Sequence, residues 1–274
     1  MQSFAANVPR RGKAFRRLAV CAALVVLVVV FAGGAGSARA AASSATCSGG
    51  AISSGTYLGL VVTGSCTIPD GASVRVVGGL TVGSTGFLDA SSCSAHLAVT
   101  GGVQVESGGL LYLGGSQGSG CGGNSDTVVN GGVSGDHPTA LVVHGTRING
   151  GFTVVGSGSP PVCGIGHYVA IEDSTVNGSV SLSGTNICWI GVIRNTINGL
   201  THIDNNETMD TDAIEVGLNT INGGLACSGN FHNPAVPPDT TPGAPNGVPT
   251  NFFDFAGPFP NTVRGAETGQ CVGL

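Results

Sequence analysis

The sequence predicts an all-β chain: a right-handed parallel β-helix of about seven to eight coils, stapled by disulfides. Three observations predict it. A glycine-marked corner recurs along the chain, apolar residues alternate after that corner, and beyond residue 40 no stretch of a dozen residues shows helical spacing free of Gly or Pro.

Taken in order, residues 1–40 read as an export signal. Arg10, Arg11, Lys13, Arg16 and Arg17 form a basic start, 18–36 form an apolar run, and Ala38-Arg39-Ala40 is a small-x-small site that places cleavage after Ala40. The rival reading is an uncleaved anchor, because the run approaches the roughly 18–20 residues that span a bilayer. Both readings put the domain outside the cytoplasm, so an extracellular or cell-envelope location is expected. Without residues 1–40 the chain keeps Arg75, Arg147, Arg194 and Arg264, no lysine, and all fifteen acids, a balance of 4 − 15 = −11. That surface repels phosphate, which excludes nucleic acid, and no membrane contact is expected after signal cleavage. Glycans and cell-wall polymers stay open as partners.

Eight cysteines follow the leader, an even number suited to an oxidising compartment. No Cys-x-x-Cys occurs, so zinc has no support. Coils stacked in sequence order favour pairing between neighbours, which predicts Cys47–Cys66, Cys93–Cys121, Cys163–Cys188 and Cys227–Cys271.

The helix itself is expected over 41–230. Its corners are marked by Gly78, Gly101, Gly131, Gly150, Gly178, Gly199 and Gly223, at intervals of 23, 30, 19, 28, 21 and 24 residues. Each has a β-branched residue before it, and most have alternating apolar residues after it, as in Leu80/Val82, Phe152/Val154 and Val180/Leu182. One such strand cannot bury its apolar face alone, whereas stacked strands close a continuous core. Intervals this irregular rule out a hexapeptide helix and a calcium-bound nonapeptide roll. Asn130, Asn149, Asn177, Asn198 and Asn222 share one slot and are expected to stack as an amide ladder. Asn-Gly is expected to turn the chain through left-handed backbone, since Asn tolerates that region and Gly is free in it.

Residues 231–260 hold eight of the thirteen prolines and read as an extended loop or linker, with Phe252, Phe253, Phe255 and Phe259 as a core cap or a contact patch. Residues 261–274 form a C-terminal cap segment that Cys271 ties to the last coil.

Here the chain resembles a known group, the exported β-helix proteins of high-G+C Gram-positive bacteria, mostly uncharacterised. The resemblance rests on "CTIPDGASVRVVGGLTVGSTG" (66–86), on "IEVGLNTINGGLACSGN" (214–230) and on "NTVRGAETGQC" (261–271). It implies the fold and export, and no activity.

Chemistry has few candidates. "GGSQG" (114–118) fits a Gly-x-Ser-x-Gly elbow, but it lies in a Gly/Ser loop without the strand-turn-helix context that elbow needs. Carboxylates concentrate in "IDNNETMDTDAIE" (203–215). A solvated loop is the plain reading; Asp204, Glu207, Asp210 and Asp212 are also candidate calcium ligands, the one cofactor the sequence suggests, although Met209 stands where an EF-hand loop needs glycine. "DTDAI" (210–214) is similar to the Asn-Thr-Asp strand of polygalacturonases, whose Asp-Asp pair and Arg-x-Lys have no counterpart here. The expected function is therefore a secreted or cell-envelope structural or binding protein that touches glycans through one flat face, with no catalytic residue identified. The alternative is a carbohydrate-active enzyme, a polysaccharide lyase or glycoside hydrolase, with an acidic site near Asp210 and Asp212.

Overall fold

A computed structural model describes residues 43–156, 163, 167–209, 214–235, 247–252 and 257–274. The expected signal peptide, Asp210, Asp212, Phe253 and Phe255 lie outside the described residues. Every strand pairing among the described residues is parallel, in sheets of eighteen, eight and three strands. The chain is a parallel β-helix. No helix of the described residues is long and apolar enough to cross a membrane.

The long sheet carries two strands of most coils, one on each side of the glycine corner. After the corner the strands stack as Ser43–Cys47, Gly55–Val62, Leu80–Val82, Val103–Val105, Val133–Asp136, Phe152–Val155, Val180–Ser183, Thr201–Asp204, Leu225–Ser228 and Glu267–Gly269. That file has ten members against seven corners in the predicted series, because Ser43–Cys47 and Gly55–Val62 precede Gly78 and Glu267–Gly269 follows Gly265. Period-two alternation makes the core. Leu60, Leu80, Val103, Val133, Phe152, Val180 and Leu225 fall in one inward column and are at most 2% exposed.

The corner differs from the expectation in its physical cause. Neither the five corner asparagines nor the glycines that follow them have positive φ. Glycine is needed there because a Cβ at Gly78, Gly101, Gly131, Gly150, Gly178, Gly199, Gly223 or Gly265 would lie 2.3–2.7 Å from backbone of the coil before it. Close stacking, and not left-handed turning, fixes the residue. The amide ladder runs as expected, each Nδ2 donating to the Oδ1 one coil earlier from Asn149 through Asn222 at 2.5–2.8 Å.

Left-handed backbone occurs at the other two bends. One file holds Gly145, Asp173, Arg194 and Leu218; the other holds His137, Gly156, Gly184, Asn205 and Gly229. In the coils toward the C-terminus each is followed by a residue of an interior ladder. Ser174 N–H donates to Asn195, Asn195 to Asn219, and Asn219 to Asn261, which ends on the carbonyl of Leu274. At the other bend Thr185 donates to Asn206, Asn206 to Asn230, and Asn230 to Gln270. Asn195, Asn206, Asn219 and Asn230 are at most 4% exposed. These amides satisfy backbone groups that the bends would leave unpaired in the core.

Disulfides join Cys47 to Cys66, Cys93 to Cys121, Cys163 to Cys188 and Cys227 to Cys271, the neighbour pairs the sequence predicts. A chain with four such bonds belongs to an oxidising compartment. The C-terminal end of the core is closed by Cys227 and Cys271, both at most 1% exposed, and not by Phe252, which is exposed. Part of the expected linker joins the helix: Thr250 bridges Glu215, so the stretch 247–252 extends the eight-stranded sheet.

Candidate functional site

The eight-stranded sheet is built from Gly50–Ala51, Ser65–Thr67, Phe87–Ala90, Leu110–Leu113, Ala140–His144, Tyr168–Glu172, Trp189–Ile193 and Ile214–Gly217. Its inward residues Leu88, Leu111, Leu141, Val169, Ile190 and Ile214 belong to the core. Alternation then turns Phe87, Tyr112, Tyr168 and Trp189 outward, on one face.

These four rings lie along the rod in two adjacent columns, Phe87, Tyr168 and Trp189 in one and Tyr112 in the next. Phe87 and Tyr112 meet edge to face with centroids 5.6 Å apart, and Tyr168 and Trp189 do so at 6.2 Å. Burial first, and then the charges of the neighbouring Tyr168 and Asp89, push the Tyr112 phenol above its ordinary range. The floor is small: Ala140, Val142, Ala170 and Gly191 are buried. Gly191 is glycine so that Trp189 can lie across the sheet, since a Cβ there would stand 2.2 Å from the indole. Covering a strand glycine with an aromatic stabilises the sheet by itself. All four rings stay partly exposed, which leaves apolar area for a ligand. The group spans four coil steps, about 19 Å at ~4.8 Å each.

A charged cluster borders the same face at the C-terminal ends of two strands. Arg194 donates from Nε to Asp173 at 2.6 Å and from one terminal nitrogen to Glu172 at 2.8 Å and to Asp173 at 3.0 Å. Ser116 Oγ donates to Asp173 at 2.6 Å, and His144 Nδ1 lies 3.9 Å from Glu172. Burial pushes the Asp173 carboxyl up, but the hydrogen bonds of Arg194 and Ser116, with the charges of Arg194 and His144, more than offset it and hold the group below its ordinary range. The covering loop, 114–125, is tied down by Cys93–Cys121 and by Asn124, which donates to the Asp173 carbonyl. Gly118 lets this loop approach; a Cβ there would meet Arg194 at 2.4 Å.

The cluster is structural in its chemistry. Ser116, the serine of the Gly-x-Ser-x-Gly match, is fully buried and its hydroxyl donates to the Asp173 carboxylate, where a nucleophile would donate to a histidine base. His144, Glu172 and Asp173 converge within 4.8 Å, yet the guanidinium already occupies the place a metal cation would take between the carboxylates.

Of the calcium candidates, Asp204 accepts from Ser228 and Glu207 from Asn186, each on its own strand, while Asp210 and Asp212 lie outside the described residues. The corner asparagines stack on the long sheet, away from the aromatic face. Sequence reasoning missed the aromatic group, whose members are 25, 56 and 21 residues apart. A signal existed: the chain has three tyrosines and one tryptophan, and three of those four sit on this face. Comparison with known proteins adds no relative: no protein-family model, no curated protein and no solved structure matches the chain.

Proposed function

We propose that this protein is an exported, extracellular or cell-envelope rod that binds a neutral glycan along the aromatic face of its eight-stranded sheet. The observation that carries this is the aromatic group Phe87, Tyr112, Tyr168 and Trp189, partly exposed over a floor of small residues. A pyranose ring has an apolar C–H face and a polar rim of hydroxyls. Half-buried rings supply rigid apolar area at little entropic cost, with the tyrosine hydroxyls and the indole N–H as polar handles. A group about 19 Å long suits a chain of several sugars better than a single one. Anionic polymers are disfavoured, because Asp89 lies on the face and the processed chain carries −11. Export accords with the four disulfides, the leader-like residues 1–40 and the resemblance to exported β-helix proteins.

The test is retention of the chain beginning at Ala41 on immobilised neutral, anionic and amino polysaccharides. Retention on a neutral polymer is expected, with Trp189→Ala and Tyr112→Ala each weakening it about tenfold, the loss of about 1.4 kcal/mol of ring contact. No retention on any polymer, or retention indifferent to both substitutions, refutes the proposal. Reducing ends or unsaturated products released in the same panel support the enzyme alternative.

A further inference from the structure

We propose that the N-terminal end of the helix is a self-association edge, at which two copies of this chain pair head to head. Among the described residues Ser43–Cys47 is the first strand of its file and pairs only with Gly55–Val62. The carbonyl of Cys47 accepts from Thr63, so alternation along a parallel strand turns the backbone groups of Thr46 and Ser44 away from the helix. Ser43, Ser44 and Thr46 are exposed, as are all of Ser48–Ala51 at the start of the eight-stranded sheet. Such an edge offers a row of free donors and acceptors to another strand. Proteins ordinarily blunt it with charge, proline or a covering segment.

This end has none of the first two devices. From Ser43 to Ile68 there is no charged residue and no proline, in a chain whose processed form carries −11. The opposite end is closed. There Asn261 donates to the Leu274 carbonyl, the carbonyls of Thr268 and Gly269 accept from Cys271 and Val272, and Glu267 accepts from Gly273. The asymmetry names the partner. An acidic molecule that leaves one uncharged edge can bring two copies together there without like-charge repulsion, and a two-fold axis across that edge pairs the two Ser43–Cys47 strands antiparallel. The expected processing after Ala40 leaves two residues ahead of Ser43, so nothing long obstructs the approach. Glycan binding plays no part in this inference.

Sedimentation of the chain beginning at Ala41, over a wide concentration range, is expected to show a monomer–dimer equilibrium. Thr46→Pro removes an outward N–H and no bond to the next coil. Thr46→Lys keeps the backbone and sets like charges face to face. Each is expected to raise the dimer dissociation constant tenfold or more with the circular dichroism spectrum unchanged, while Thr268→Lys at the far end leaves it unaltered. A monomer at every concentration overturns the inference, and so does a dimer that survives both Thr46 variants.

Discussion

Gly178→Ala tests the physical cause assigned to the corner. A Cβ at Gly178 would lie 2.7 Å from the carbonyl carbon and oxygen of Gly150 and from the nitrogen of Gly151. Ordinary contact begins near 3.4 Å, so the coils must part locally by 3.4 − 2.7 = 0.7 Å. That opening stretches the 2.9 Å bonds Gly178 N–H to Gly150 and Asn177 N–H to Ile148. Overpacking costs about 1–3 kcal/mol and a weakened hydrogen bond about 1 more, for a total near 3 kcal/mol. A chain of this size then loses roughly 6–12 °C in Tm. Gly79 is the control, because it occupies the next slot of the corner, which Ser179 and Leu200 fill in later coils. Its added Cβ would meet nothing nearer than 3.6 Å, and its φ is not positive. Gly79→Ala is expected to be neutral or to stabilise by about 0.4–1 kcal/mol through the unfolded chain. Urea unfolding of both variants with disulfides intact, followed by circular dichroism, measures the difference. Equal stabilities would refute the stacking account and return the corner to a question of backbone conformation.

The interior ladder is expected to matter more than the exposed one. Asn219→Ala strips partners from the Asn195 N–H and the Val192 carbonyl inside the protein and should cost about 2–5 kcal/mol, whereas Asn198→Ala, where water can replace the lost bonds, should cost about 1 kcal/mol or less by the same unfolding assay. Arg194→Met leaves Glu172 and Asp173, each about 13–14% exposed, without their cation; because Arg194 itself is about a third exposed, the cost at neutral pH is expected near 1–3 kcal/mol. A carboxyl whose folded pKa is depressed adds stability above its unfolded value of about 3.9 and loses it as pH falls through the folded one. The gap between the parent and Arg194→Met should therefore be full above about pH 4 and close below it, which unfolding at a series of pH values reads directly.

How much of this was legible varied with the range of the interaction. The β-helix and the Asn130–Asn222 ladder could be read because the same residue types recur in the same slot, so the stacking is written as a repeat. The disulfides followed once neighbouring coils were known to be adjacent. Left-handed turning at Asn-Gly was misplaced because glycine has two uses, freedom in φ and the absence of a Cβ, and the sequence does not distinguish them. The interior ladders were half visible: "NTING" recurs at 195–199 and 219–223, but Ser174 and Thr146 fill the same slot earlier, which hides the column until the coils are stacked. Asp210 and Asp212 drew notice as a local concentration of charge, which is what a sequence shows best.

The aromatic face shows why site and repeat are read by different means in a stacked coil. The corner side has little freedom to vary, since its glycines are fixed by contact with the preceding coil and its amides by the ladder. Variation enters instead at the bends around the eight-stranded sheet, where the chain can lengthen without disturbing a column. The two longest intervals between corners, 30 and 28 residues, are where it does so. The first contains Tyr112 and the loop that covers Asp173 and Arg194; the second contains the twelve residues 156–167 and then Tyr168. Departures from the shortest interval, 19 residues, thus mark the coils that carry side chains beyond those the stack itself requires, and Tyr112 and Tyr168 fall in the two greatest departures. Shortening the interval Gly101–Gly131 by deleting the loop between Gly115 and Asn124 should accordingly leave the coils stacked while uncovering Arg194 and its carboxylates, and a chain that unfolds outright on that deletion would place the loop among the structural parts of the rod.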